Sequence, residues 1–337
     1  MIDEPTIWAH LDALAKPQRS LGRLEALAVR LAMVQQRLDP VTRPRRIVLF
    51  AGDHGVVAQG VSAWPSAVTG MMVDTIASGR ATSNALAAAQ DCDLRLVDVG
   101  VASAPAADRP SWFRSARIAD GTQDLSAGPA MGIHQFEAAW DVGADEARQA
   151  VAAGHAVLIA GEMGIGNTTP AACLTALLTG APVEIAVGRG AGADDVAMEA
   201  KVRIVAEALE AAIGMDADPV APLAALGGYE IAAMAGFFAE GAALGATILL
   251  DGYVATAAAL VADRLRPGTA RALIAAHRSA EPGHTAALAH LGLEPLLEWE
   301  MRLGEGTGAL VALPLLDSAA ALLSRVAKLS DLGIGDA

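Results

Sequence analysis

At 337 residues with 53% hydrophobic side chains, the chain can hold one large α/β domain or one and a half ordinary domains, with ample apolar material for a core. Its formal net charge of -14 opposes nucleic acid and anionic lipid, and no Lys/Arg-rich block offsets this locally, so small molecules or another protein chain are the expected partners. An anionic ligand would have to be held by aimed backbone N–H groups and a few cations.

The start, Met1-Ile-Asp-Glu-Pro5, is acidic where a secretory leader is basic, so no export signal is expected. After Ser20, a candidate N-cap, the residues Leu21, Leu24, Leu27, Leu31, Val34 and Leu38 recur at helical spacing. They predict an amphipathic helix over 20–38, ended by Pro40 and Pro44. From there short runs rich in Val, Ile and Leu alternate with Gly/Asp clusters and Ala-rich helical stretches, which is the pattern of βαβ units around a buried parallel sheet.

Strands are predicted at 46–51, 94–99, 156–160, 185–187, 246–250 and 272–276. They run into Gly52-Asp53-His54-Gly55, Gly100, Gly161-Glu162-Met163-Gly164, Gly188-Arg189-Gly190, Asp251-Gly252-Tyr253 and His277-Arg278-Ser279. Ligands of open α/β sheets bind beyond the carboxyl ends of the strands, so a single cleft is expected there. The Pro/Ala-rich loop from Ala102 to Pro110 is the candidate mobile segment. The apolar run from Ile231 to Leu250 is interrupted by Gly236, Glu240, Gly241 and Gly245 and closed by Asp251, which suits a buried helix and a core strand better than a membrane span. A last helical run, Ala309 to Leu329, is expected to pack on the N-terminal helix. The chain would then divide into a small helical lobe, 1–39 with 309–337, and a large domain, 40–308.

Cys92 and Cys173 lie far apart in apolar surroundings, which suggests buried free thiols and a reducing cytoplasm. Asp53-His54 and the group His277, Glu281, His284 match no metal-ligand spacing, so no metal site is expected. No G-x-S-x-G elbow supports serine hydrolysis.

Three segments carry chemistry. Gly161-Glu-Met-Gly-Ile-Gly-Asn-Thr-Thr169 nearly spells a P-loop, but Asn167 stands where the lysine should be. That weighs against NTP hydrolysis and leaves either a monophosphate cradle or a plain strand-to-helix turn. Gly188-Arg-Gly-Ala-Gly-Ala-Asp-Asp195 is a second glycine-rich turn, leading to a helix that carries Lys201, a phosphate partner or a solvated helix residue. In Met301-Arg-Leu-Gly-Glu-Gly-Thr-Gly-Ala309 a single carboxylate, Glu305, stands among Gly304, Gly306 and Gly308. Such a group can be approached closely by a ligand, although the plain reading is a turn into a helix with a solvated Glu.

Together with Ala51-Gly-Asp-His-Gly-Val-Val57, Leu226-Gly-Gly-Tyr-Glu-Ile231, Leu250-Asp-Gly-Tyr253 and His277-Arg-Ser-Ala-Glu-Pro-Gly283, these segments make the chain resemble the nicotinate-nucleotide:dimethylbenzimidazole phosphoribosyltransferase family over almost its whole length. The resemblance implies a Rossmann-like parallel sheet flanked by helices with a small helical lobe, a homodimer, and no metal or redox cofactor. It also implies transfer of ribose 5-phosphate from nicotinate mononucleotide to 5,6-dimethylbenzimidazole, giving α-ribazole 5′-phosphate and nicotinate for the lower ligand of cobalamin.

That chemistry needs a base tuned toward neutrality, because the acceptor's N–H proton leaves as its other nitrogen attacks. By resemblance the base is Glu305, while Glu162 would steady positive charge at C1′. Gly164, Asn167, Thr168, Gly188, Gly190, Lys201 and Ser279 would hold phosphate and ribose. Asp53, His54, Trp64 and Met72 would border the acceptor base, and Gly227, Gly228 and Asp251 would complete the substrate site.

The family usually reads Lys-Pro-Pro-Gly-Ser-Leu-Gly where this chain has Lys16-Pro-Gln-Arg-Ser-Leu-Gly22. Some relatives accept adenine or phenols, so the acceptor stays open. A P-loop-like kinase and a non-catalytic nucleotide-binding protein are the alternatives of other classes.

Overall fold

The structure, a computed structural model, describes residues 2–103, 108–215 and 218–333. The centre of the loop expected to be mobile, 104–107, lies outside the described residues. Six strands, β1 (Arg45–Gly52), β2 (Asp93–Gly100), β3 (Phe113–Ser115), β4 (Val157–Met163), β5 (Thr247–Leu250) and β6 (Leu273–Ala275), form one sheet in the order β3-β2-β1-β4-β5-β6. Every pairing is parallel. The order reverses between β1 and β4, which places the crevice of a Rossmann-type sheet at their carboxyl ends.

Chain entry into this sheet is helical: α1 (Glu4–Asp12), α2 (Arg23–Gln35), then after β1 α3 (Ala67–Ala77) and α4 (Thr82–Ala89). Between β3 and β4 runs α5 (Ile133–Ala152). β4 leads to α6 (Thr168–Thr179), α7 (Val183–Ala186), α8 (Asp195–Ala212), α9 (Ala221–Leu226) and α10 (Tyr229–Ala243). α11 (Tyr253–Leu265) follows β5, and α12 (Gly283–His290) and α13 (Thr307–Arg325) follow β6.

Alternation along the strands sends side chains to opposite faces, and both faces are covered. Val48, Phe50, Leu158, Ala160, Ile248 and Leu250 pack under α5, α6, α10 and α11. Ile47, Leu49, Ile159 and Leu249 pack under α1, α2 and α13. α13 is long and apolar enough by composition to cross a membrane, but Leu310, Leu313 and Leu316 are fully buried in this second cluster, as befits a core helix.

Gly236 of the 231–250 run and Gly143 of α5 serve close approach. A Cβ at Gly143 of α5 would come 2.6 Å from the carbonyl carbon of Ala233, and one at Gly236 would come 2.8 Å from that of Trp140. The two helices therefore cross backbone against backbone.

Several expectations need correction. The run 185–187 is not a strand: Val183–Ala186 is a helical turn after Pro182, and Tyr253 donates its hydroxyl hydrogen to Ala186 O at 2.7 Å. Three apolar residues cannot distinguish a buried strand from a buried turn. The N-cap of α2 is Gly22 rather than Ser20. Two elements were not foreseen. α1 is capped by Asp3, which accepts from Thr6 N at 3.0 Å, and β3 is a half-buried three-residue edge strand with no apolar run to signal it.

Arg19, at the family's glycine position, has φ +57°, in the left-handed region that glycine adopts freely. Its guanidinium makes a two-point bond to Asp12 (3.0 Å each) and lies 3.7 Å from the Trp8 ring centroid. These contacts offset strain of about 1 kcal/mol. Arg19→Gly is therefore expected to change stability by less than about 1 kcal/mol, whereas Arg19→Ala, keeping strain and losing contacts, should cost about 1–2 kcal/mol in urea unfolding.

Candidate active site

Four carboxylates converge where the strand order reverses, because four glycine-containing turns let them. At the end of β4, a Cβ on Gly161 would stand 2.6 Å from Glu305 C, so only glycine allows the 304–306 turn to lie on that strand. Gly304 (φ +87°), Glu305 (φ +58°) and Gly306 (φ +71°) are all left-handed, and Ile47 fills the place of a Gly306 side chain. Gly308 differs: it sits inside α13 and makes room for the His277 ring.

The turn buries Glu305 to 3% exposure, in contrast to a solvated Glu. Its Oε2 accepts from Ser83 Oγ at 2.9 Å and lies 3.4 Å from Ser83 N, at the start of α4. Among the described residues no ion pair includes it, and its hydrogen-bond partners are the Ser83 donors.

Glu162, one residue from the strand's end, rests its carboxylate over Gly304 and accepts a hydrogen bond from Asn167 Nδ2. Burial pushes its pKa up to about 8; Asn167 opposes this, while the Glu230, Asp251 and Glu305 carboxylates add to it. A carboxyl whose folded pKa exceeds its ordinary 4.5 contributes stability at low pH that is lost as pH rises through about 8. Wild type should thus lose stability between these values relative to Glu162→Gln, as read from urea midpoints across pH.

Asp251, at the tip of β5, accepts from Ala309 N at 3.0 Å and so caps α13 from outside its own chain segment. Burial raises its pKa, but the His277 imidazole 3.6 Å away and backbone donors outweigh that and hold it below the usual range. His54, after β1, bonds Glu230 through Nε2 at 2.8 Å, both buried. Burial opposes protonation of His54, and the Glu230 and Asp53 carboxylates more than offset it, raising its pKa.

The glycine turns form the opposite wall. Asn167 occupies the N-cap position of α6, so Glu162 takes the side chain that a P-loop would replace with lysine. The cation comes instead from α8: Lys201, 1% exposed, donates to Thr168 Oγ1 at 2.9 Å and to Gly188 O at 2.7 Å. It is not a solvated helix residue. Burial pulls its pKa down to about 8, partly countered by Glu281. Glu281 itself accepts from Gly190 N at 2.9 Å and packs on Gly188.

Between these walls lies an open cleft, with about 900 Å³ of empty space that includes the adjoining solvent. Of the residues singled out by sequence, Glu162, Gly164, Asn167, Thr168, Gly190, Asp251 and Ser279 line it. Glu305 adjoins the lining residue Gly304, and Gly188 and Lys201 lie behind Thr168 and Gly190. His54 packs behind the lining residue Gly164 and against Gly228, and Gly227 ends α9. Asp53 ties its loop together, accepting from Ser66 Oγ and Ala102 N at 2.8 Å each. Trp64 is 53% exposed next to the lining residue Ala63, and Met72 is on α3, half-buried.

Sequence reasoning missed Glu230, although a Glu opening an otherwise apolar helix is a usable signal. It also passed over Glu281 and His284 once a metal had been set aside. Among the described residues no group of His, Cys, Asp and Glu is arranged to hold a metal ion.

A family model described as phosphoribosyltransferase matches residues 4–334. A nicotinate-nucleotide–dimethylbenzimidazole phosphoribosyltransferase of Chromobacterium violaceum is 47% identical, over 95% of this chain and 92% of its own length. One of Syntrophobacter fumaroxidans is 42% identical, over 99% and 94%. The crystal structure of CobT from Thermus thermophilus matches with a TM-score of 0.94 at 43% identity, covering 99% of this chain and all of that one.

Proposed function

The chain belongs to the nicotinate-nucleotide:dimethylbenzimidazole phosphoribosyltransferase family and transfers ribose 5-phosphate from nicotinate mononucleotide to 5,6-dimethylbenzimidazole; within that reaction we propose that Glu305 is the base and Glu162 the carboxyl facing C1′. The observation that carries this assignment is the meeting of buried Glu305 and half-buried Glu162 across Gly304 at the sheet's switch point, with Glu162 and Gly304 lining the cleft.

The acceptor's N–H proton passes to Glu305 Oε as its other ring nitrogen attacks C1′ from the face opposite the leaving group. The C1′–N bond breaks, its electron pair returns to the pyridinium nitrogen, and nicotinate leaves as a neutral ring with inversion at C1′. The leaving group brings its own positive charge, so alignment is what the protein supplies. Glu162 ionises as a cationic ring or an electron-poor C1′ comes against it, and Asn167 keeps it aimed. The phosphate sits at the N-terminus of α6 with Thr168, Gly190 and Ser279 around it and Lys201 behind Thr168.

Trp64 and Met72 border the acceptor in this reading, with Asp53, His54, Gly227 and Gly228 shaping the wall behind. The two terminal segments, 1–39 with 309–337, are read as a small helical lobe, supported over the described residues 2–39 and 309–333 by the bridge from Leu14 to Lys328, although their core is shared with the sheet. A homodimer is favoured by the exposed Trp299 and Leu303 on the loop before Glu305, and a cytoplasmic home by the two free buried thiols. Mixing the protein with nicotinate mononucleotide and dimethylbenzimidazole, then following α-ribazole phosphate by mass, tests the activity. Adenine and a phenol in the same panel test the acceptor, and light scattering tests the dimer.

A further inference from the structure

Ser279 and Gly252 reach the cleft from neighbouring strands, and behind them His284, in the first turn of α12, is fully buried. Its hydrogen bonds have a definite direction. The backbone N–H of Ser279 points at Nδ1 at 2.9 Å, and an amide N–H only donates, so Nδ1 is the bare nitrogen and Nε2 carries the hydrogen. Thr256 Oγ1 donates to Gly252 O at 2.9 Å, and so accepts from Nε2 at 2.8 Å.

Ser279 Oγ also lies 2.9 Å from Nδ1. Two hydrogens therefore share one lone pair. The amide is fixed by the backbone, whereas the hydroxyl hydrogen is free to rotate. Burial, with the nearby His277, holds the His284 pKa down to about 3, in keeping with a neutral ring.

We propose that His284 is a positioning residue for substrate binding: its neutral imidazole parks the Ser279 hydroxyl at the cleft wall and releases it to a phosphate oxygen of the donor nucleotide. When that oxygen arrives, the hydroxyl turns from Nδ1 to it. The imidazole keeps the amide hydrogen, so neither group is left unsatisfied, and a charge-assisted bond replaces half of a shared one. The Gly252–Thr256–His284 chain holds the ring so that Nδ1 cannot turn a hydrogen toward Ser279. This inference rests on the phosphoribosyl-transfer reading.

The test is a double-mutant cycle in the full chain with nicotinate mononucleotide varied. Ser279→Ala and His284→Ala should each raise its KM roughly 10- to 100-fold with little change in the KM for dimethylbenzimidazole. The pair together should be no worse than Ser279→Ala alone, since one acts through the other. His284→Asn, whose Oδ1 can replace Nδ1 as acceptor, should recover most of the loss. Wild type that makes no product sinks the functional reading itself. Active wild type in which His284→Ala adds a further loss on top of Ser279→Ala, or leaves KM unchanged, overturns the inference alone. If His284→Ala does not fold, ring 15N shifts of wild type decide: a hydrogen on Nδ1 near neutral pH overturns it.

Discussion

Glu305→Gln is expected to lower kcat/KM roughly 10²- to 10⁴-fold, the range for loss of a general base. The substitution keeps shape and removes only the ability to take a proton. Ser83 Oγ, which donates to Glu305 Oε2 at 2.9 Å, can donate equally to an amide oxygen, so folding should be preserved. The measurement is α-ribazole phosphate formation beside a urea unfolding curve. Near-full turnover in a folded variant would remove Glu305 as base and leave Glu162 as the acid to examine. The effect is expected in kcat as well as kcat/KM, since proton acceptance matters only as the acceptor attacks.

Gly161→Ala should damage the site through a single methyl. The new Cβ would meet the backbone of residues 305 and 306, and neither β4 nor the turn can rotate aside as a side chain would. A cost of about 1–3 kcal/mol or more is expected for such overpacking. Activity should fall further than stability, because any relief moves Glu305, and a displacement on the order of 1 Å can cost about 10²-fold. Gly154→Ala is the control. Unlike Gly161 it has a positive φ, +85°, but its Cβ meets nothing within 4 Å, so it should cost about 1 kcal/mol of strain and leave kcat unchanged. Equal activity losses in the two variants would show that the 304–306 turn does not need its seat on β4.

Much of the scaffold was legible because its signals are local. Apolar runs ending in Gly/Asp clusters located β1, β2, β4, β5 and β6 to within a residue or two at most ends, and helical spacing located α2. Where the local signal was short, the reading failed: 185–187 became a helical turn, and β3 is held by pairing with β2 rather than by its own composition. Gly236 could be noted but not interpreted, since what it accommodates is another helix far away in sequence.

The same divide runs through the site. Glycine-flanked Glu305 and the lysine-free phosphate turn were visible as motifs, because a motif needs only adjacency. The local sequence left Lys201 either a phosphate partner or a solvated helix residue, and only the packing of α8 against α6 made it a buried cation under Thr168. Glu230 lay unremarked inside a quoted segment and His284 in a group set aside as non-metal, and their meaning lies in His54 and Ser279, which the fold brings to them.

By itself, then, the chain's order of residues determined a parallel α/β sheet, a cleft at its carboxyl edge and the acid to suspect there. Only the tertiary structure decided how that acid is buried, which donors hold it, where the cation comes from and which carboxyl has its pKa pushed up. Backbone preference and apolar periodicity act over a few neighbours, whereas burial, charge and hydrogen bonding depend on groups that meet only when distant strands are laid side by side.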